Sequence, residues 1–152
     1  MLEVRQLSKR FGRHEAVVDA TFQVDEGEVF GYLGPNGSGK TTTMRLILGL
    51  LRPTAGEALL WGARASERAD IRRRVGVLLE NDGLYPKLNA YDNLDYFGRL
   101  YRVPALDARI ARLLDFAGLA ERRGDRVGTF SRGMRRKLGL VKIKMFRPVP
   151  TD

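Results

Sequence analysis

Cysteine is absent from the 152 residues, and histidine occurs once, at His14. The first absence excludes a disulfide framework, a thiolate metal site and a cysteine nucleophile, and it fits a reducing compartment. The second excludes a histidine metal cluster. Long apolar runs are also missing: none approaches the roughly 20 residues that cross a bilayer. The N-terminus, Met1-Leu2-Glu3-Val4-Arg5, is charged and has no apolar secretory core behind it. These absences predict a chain that stays inside the cell. With 43% hydrophobic and 30% charged residues, the composition is that of a soluble globular protein. Its length suits one domain of ordinary size.

Charge is unevenly placed. The net charge is +9, from 27 basic and 18 acidic residues, and residues 121–152 hold 10 of the basic ones against 3 acidic. Such a run serves nucleic acid, an anionic membrane surface or simply a solvated helix face. No aromatic residues alternate with the basic ones as single-strand stacking requires, which argues against nucleic acid as a partner.

Val17, Ala20, Phe22 and Val24 fit an alternating strand only in part. After the turn signal Glu26-Gly27, the compact apolar run Val29-Phe30-Gly31-Tyr32-Leu33 reads as a buried strand. It enters a glycine-rich stretch, from which Thr42 to Leu50 continue as a helix ended by Arg52-Pro53-Thr54-Ala55-Gly56. A strand over Glu57 to Trp61, a short charged helix over Glu67 to Arg74 and a second apolar strand over Val75 to Leu79 follow. From about Asn81 the pattern becomes helical, with helices expected over Tyr91 to Tyr101 and Leu106 to Ala117. Ser131 has the chemistry to cap a helix starting near Arg132, whose face carries Met134, Leu138, Val141 and Met145. Pro148 and Pro150 interrupt any continuation.

One motif carries chemistry. Gly34-Pro35-Asn36-Gly37-Ser38-Gly39-Lys40-Thr41 matches the phosphate-binding loop G-x-x-x-x-G-K-S/T between an expected strand and an expected helix. Its glycines let the backbone curl until N–H groups converge on phosphate oxygens at the positive end of the helix. In this motif Lys40 reaches the β- and γ-phosphates, and the Thr41 hydroxyl is a hard oxygen ligand for Mg²⁺. The loop alone does not choose among kinases, GTPases, helicases and transport ATPases.

The surrounding residues do. Leu33 to Thr42 closely resembles the loop of ATP-binding cassette (ABC) ATPases, the cytoplasmic motor subunits of ABC transporters. Val4 to Phe11, Val24 to Tyr32, Gly49 to Gly56 and Tyr85 to Leu94 continue the resemblance in family order. It implies an α/β P-loop NTPase of ABC type, with an antiparallel β region, an incomplete core sheet and a helical subdomain. The layout expected is residues 1–84 for the β region and the N-terminal part of the P-loop core, 85–145 for the helical subdomain and signature helix, and 146–152 for a frayed tail.

The resemblance also assigns roles. Phe11 matches the aromatic that stacks on adenine; an aromatic strand residue of the core is the other reading. Gly34, Pro35, Asn36, Gly37, Ser38, Gly39, Lys40, Thr41 and Thr42 match the nucleotide loop. Glu80 stands where many relatives carry the glutamine that touches Mg²⁺ and couples to membrane subunits; a solvated loop glutamate is the other reading. Phe130-Ser131-Arg132-Gly133-Met134 resembles the ABC signature in the form seen in many export systems. In the family that segment meets ATP bound by the opposite subunit of a dimer, so Ser131 and Gly133 become nucleotide contacts, whereas without the family Ser131 is a helix cap. Arg132 and Met134 depart from the usual signature.

The implied cofactors are ATP and Mg²⁺, and the implied partners are transmembrane subunits and a second ATP-binding subunit. The implied location is cytoplasmic, peripheral on the inner face of the cell membrane. The resemblance runs from about residue 2 to 141. Relatives continue with an apolar strand ending in Asp-Glu and with a switch histidine, neither of which follows Val141 here. The sequence therefore predicts a truncated or frame-shifted ATP-binding subunit deficient in hydrolysis and with an exposed flank at Val29–Leu33. The alternative is a non-catalytic module docking on an intact partner subunit.

Overall fold

A computed structural model describes residues 1–78 and 82–146. The chain divides into two compact units, Met1–Val75 and Gly76–Asp152.

In the first unit, β1 (Leu2–Phe11) is the centre of a three-stranded antiparallel sheet, with β2 (His14–Val24) on one side and β3 (Ala55–Leu60) on the other. The partial alternation in the sequence has a structural cause. Val4 pairs with Phe22 and Leu7 with Ala20, so β1 advances three residues while β2 advances two; from Leu7/Ala20 to Lys9/Val17 the imbalance reverses. Each extra residue is a β-bulge that turns the strand by one position. Val4 and Leu7 thereby share the core face, as do Val17 and Ala20, despite odd spacing. Gly56 of β3 has φ 70° where it passes the bulge, and a Cβ there would collide with the Gln6 carbonyl. Helix α1 (Lys40–Ile47) supplies Leu46 and Ile47, and α2 (Ala69–Arg74) supplies Ile71, to a core shared with Val4, Leu7, Val17, Ala58 and Leu60. Each such aliphatic side chain contributes about 1.5–3 kcal/mol when fully buried.

The second unit is helical. Helices α3 (Ala90–Leu100), α4 (Leu106–Phe116) and α5 (Arg132–Met145) surround Leu94, Ile110, Leu114, Leu119, Val127 and Leu138. Of the α5 face expected in the core, Leu138, Val141 and Met145 are buried and Met134 is half-buried. Asn89 caps α3 by accepting from the Asp92 N–H at 2.7 Å. Behind it, fully buried Asn93 fastens the incoming loop: its Oδ1 accepts from the Tyr85 N–H at 2.7 Å, and its Nδ2 donates to the carbonyls of Tyr85 and Asn89 at 3.0 and 2.9 Å.

Three expectations are corrected. The run Val29–Leu33 forms no strand, and Val29 and Leu33 are 98% and 91% exposed. A strand needs a hydrogen-bonded neighbour, and the three strands among the described residues pair with one another. Val75–Leu78 is likewise not a strand, and Leu79 lies outside the described residues. Gly76 abuts Ile143 and Leu78 abuts Gly139, so Gly76 and Leu78 pack on α5, while Val75 packs on the core of the first unit. The charged helix starts at Ala69 rather than Glu67. Of the expected tail, residues 147–152 lie outside the described residues.

Replacing Asn93 by alanine strips partners from a buried N–H and buried carbonyls. We expect Asn93→Ala to cost about 2–3 kcal/mol, read as a lower urea midpoint with an unchanged slope.

Candidate nucleotide-binding site

The glycine-rich loop is held by its last glycine. Gly39 has φ 84° and ψ 2°, a left-handed conformation that favours glycine, and a Cβ there would run into the Ala16 carbonyl of β2. The close approach seats the start of α1 against the β1–β2 hairpin. Thr43, fully buried, then closes the first turn: its N–H donates to the Gly39 carbonyl at 2.8 Å and its hydroxyl to the same oxygen at 3.1 Å. The Tyr32 hydroxyl lies 3.4 Å from the Thr43 hydroxyl, tying the approach to the loop to the helix that leaves it.

Between these anchors, residues 34–38 are exposed. The Ser38 N–H donates to the Pro35 carbonyl at 3.3 Å, and the Lys40 ammonium folds back to donate to the carbonyls of Gly34 and Pro35 at 2.7 and 2.6 Å. No side chain caps α1 and no acidic residue stands in its first turn. An uncapped helix start with an ammonium beside it and no acidic residue in its first turn is a donor set for a multiply charged oxyanion. Thr41 is exposed and Thr42 half-buried on that turn. Phe11 ends β1 opposite His14, two residues before Ala16, so the aromatic and the loop share one hairpin. Its ring is 47% exposed, with the Lys9 ammonium 5.1 Å from its centre.

The other site residues belong to the second unit. The Ser131 hydroxyl caps α5, accepting from the Met134 N–H at 3.2 Å, and Ser131, Arg132 and Gly133 are all exposed. Glu80 lies outside the described residues. The start of α5 is positioned by an ion pair between residues 53 apart in sequence: Arg135 Nε and Nη2 donate to Asp82 at 3.0 and 3.2 Å. The Leu84 N–H also donates to that carboxylate, at 3.0 Å, and Lys142 donates to the Asp82 carbonyl at 2.6 Å. Burial pushes the Asp82 carboxyl up, but the Arg135 fork and the Leu84 N–H outweigh it and hold the group below the usual carboxylate range. Burial lowers the Lys142 ammonium, against the opposing pull of Asp82.

A family model described as "ABC transporter" matches residues 17–148. The chain belongs to the ABC transporter ATP-binding family. It is 42% identical, over 97% of its length, to the Nod factor export ATP-binding protein I of Cupriavidus pinatubonensis, and covers 46% of that protein. It is 35% identical to the linearmycin resistance ATP-binding protein LnrL of Bacillus subtilis, covering 97% of this chain and 49% of that one. A solved ATP-binding subunit of an ABC transporter superposes with a TM-score of 0.78 at 30% identity, over 95% of this chain and 62% of that one. CbiO1 of Clostridium perfringens, part of the complex cbiONQ, has the same fold, with a TM-score of 0.84 at 19% identity over 97% of this chain and 62% of its own. The chain thus spans about half the length of the curated relatives it matches. The expected ABC-type α/β fold with an antiparallel β region and a helical part is the fold observed.

Three positions that set the geometry were not among the expected site residues. Thr43 had a visible signal, a polar residue on the otherwise apolar side of α1. Asp82 and Arg135 had none, because the residues between them hide the pairing.

Two outcomes follow from this geometry. Gly39→Ala should distort the loop and lower the thermal midpoint of the chain, because the added methyl meets backbone that cannot swing aside; circular dichroism during heating reads the loss. For Asp82, the folded chain takes up its proton less readily than the unfolded one. Its stabilisation is complete above the ordinary carboxylate range and is lost as pH falls into and below that range. Urea midpoints between about pH 3 and pH 6 should fall on the acid side in the parent and change less in Asp82→Asn.

Proposed function

We propose that this chain is the nucleotide-binding part of an export-type ABC transporter ATPase, taking up ATP with Mg²⁺ at the Gly34–Thr42 loop. The observation that carries the reading is the left-handed Gly39 locked against β2, which opens an uncapped helix start to an anion beside Lys40. The donor set fits a triphosphate: backbone N–H groups of the loop and first turn would hold its oxygens, and the Lys40 ammonium would exchange the Gly34 and Pro35 carbonyls for phosphate. The Thr41 hydroxyl is the Mg²⁺ ligand, with Glu80 as a second oxygen donor by resemblance to the family. Phe11 offers a half-exposed ring for the base. Bound ATP supplies the phosphoanhydride whose cleavage powers transport in a complete subunit.

Ser131 and Gly133, exposed at the start of α5, serve ATP held by a second ATP-binding subunit, and transmembrane subunits at the cytoplasmic face of the membrane are the transport partners. Export as the direction of transport rests on similarity to the Nod factor export and linearmycin resistance proteins. Within these 152 residues, no apolar run ending in Asp-Glu and no histidine follows the Ser131–Met134 segment. We infer that they bind nucleotide without turning it over, because hydrolysis requires an oriented water. The exposed Ser131 end also supports a second reading, a module that lends its signature to an intact partner. Turnover that appears only with that partner, and depends on the partner's catalytic glutamate, distinguishes this reading.

Titration of the purified chain with a fluorescent ATP analogue and Mg²⁺ tests the proposal. Saturable binding is expected, weakened by roughly tenfold or more in Lys40→Ala, with no phosphate released. Equal binding by the parent and Lys40→Ala would overturn the assignment of the site, and phosphate release by the chain alone would overturn the inference about turnover.

A further inference from the structure

The strand that ends in Phe11 carries a cation with an unusual set of partners. The Lys9 ammonium lies over the Phe11 ring, 5.1 Å from its centre, and donates to the Arg52 carbonyl at 2.6 Å. None of the ion pairs among the described residues includes it. With no carboxylate beside it, its charge acts on the ring, whose face attracts cations. The backbone is fixed on both sides of Lys9. The Thr54 N–H donates to the Ser8 carbonyl at 2.8 Å, and the Arg10 N–H donates to the Thr54 hydroxyl at 3.0 Å.

These ties all run to one edge of β1. Arg52 and Thr54 lead into β3, where Ser8 pairs with Ala55. The phosphate loop meets the hairpin on the other edge, where Gly39 approaches Ala16 of β2. Lys9 therefore reaches the ring from the β3 side, and the half-exposed ring is left open on the side of the loop. A phenylalanine without such a contact exchanges rotamers, and a base stacking on it must first order it. The cation meets that cost beforehand, which is how preorganisation raises affinity. Helix α1 is thus tied to β2 at its phosphate-binding start and, just past its end, to the lysine that holds the ring.

We propose that Lys9 is a positioning residue for the base of the nucleotide: anchored on the Arg52 carbonyl, its ammonium holds one face of the Phe11 ring and presents the other to the base. The inference rests on the proposed reading of Phe11 as the base platform and deepens it.

Displacement of the fluorescent ATP analogue by ATP and by tripolyphosphate, each with Mg²⁺, separates the base from the phosphates. Lys9→Met keeps the apolar stem and removes the charge. It should weaken ATP by about two- to fivefold and leave tripolyphosphate unchanged. Lys9→Arg, whose guanidinium also stacks on aromatic faces, should restore ATP. In the Phe11→Ala background Lys9→Met should cost nothing further, because the two residues act through one contact. Lys9→Gln, equally uncharged, repeats the measurement if Lys9→Met loses the circular dichroism of the parent. Unchanged ATP affinity in the uncharged variants, an equal loss for tripolyphosphate, or the same loss with Phe11→Ala in place would overturn the role of Lys9 alone. A parent chain that binds no ATP would overturn the nucleotide site itself, and this inference with it.

Discussion

The close approach of Gly39 to the Ala16 carbonyl is the constraint on which the first unit depends. A helix start can be placed against a strand at that separation only where no Cβ intervenes, and the left-handed backbone that glycine permits turns the chain into α1 at the same point. Everything that gives the loop its chemistry descends from this one contact. It fixes the direction of the first-turn N–H groups, leaves no side chain to satisfy them, and lets Thr43 bury its hydroxyl on the Gly39 carbonyl. The hairpin that receives the contact also carries Phe11 at its turn, so an aromatic and an anion site are placed by the same pair of strands.

The second unit solves a different problem by polar means. A small helical cluster with loops between its helices must fix those loops without burying unpaired backbone, and it does so through Asn93 and Asp82. Asn93 offers one acceptor and two donors to a turn whose N–H and C=O groups would otherwise be buried unsatisfied. Asp82 ties a loop to α5 through a guanidinium fork and a backbone N–H; burial pushes its carboxyl up, and these donors hold it below the usual carboxylate range. The Ser131 cap is thus presented by a helix whose first turns are pinned from the side rather than only packed from below.

What could be read in the sequence was whatever is local. The phosphate loop, the Ser131 cap and the helices α3, α4 and α5 each announce themselves within a dozen residues, through glycine spacing, a capping side chain or an apolar stripe. The bulges of β1 and β2 were visible only as a spoiled alternation, since Gln6 and Asp19 carry no signal of their positive φ. Val29–Leu33 and Val75–Leu78 have the composition of buried strands, and composition states what a segment would do given a neighbour. Pairing is not local, and neither is the Asp82–Arg135 bridge, so both were settled only by the fold. Thr43 shows the intermediate case: its type was anomalous on an apolar helix face, but only the position of the Gly39 carbonyl explains it.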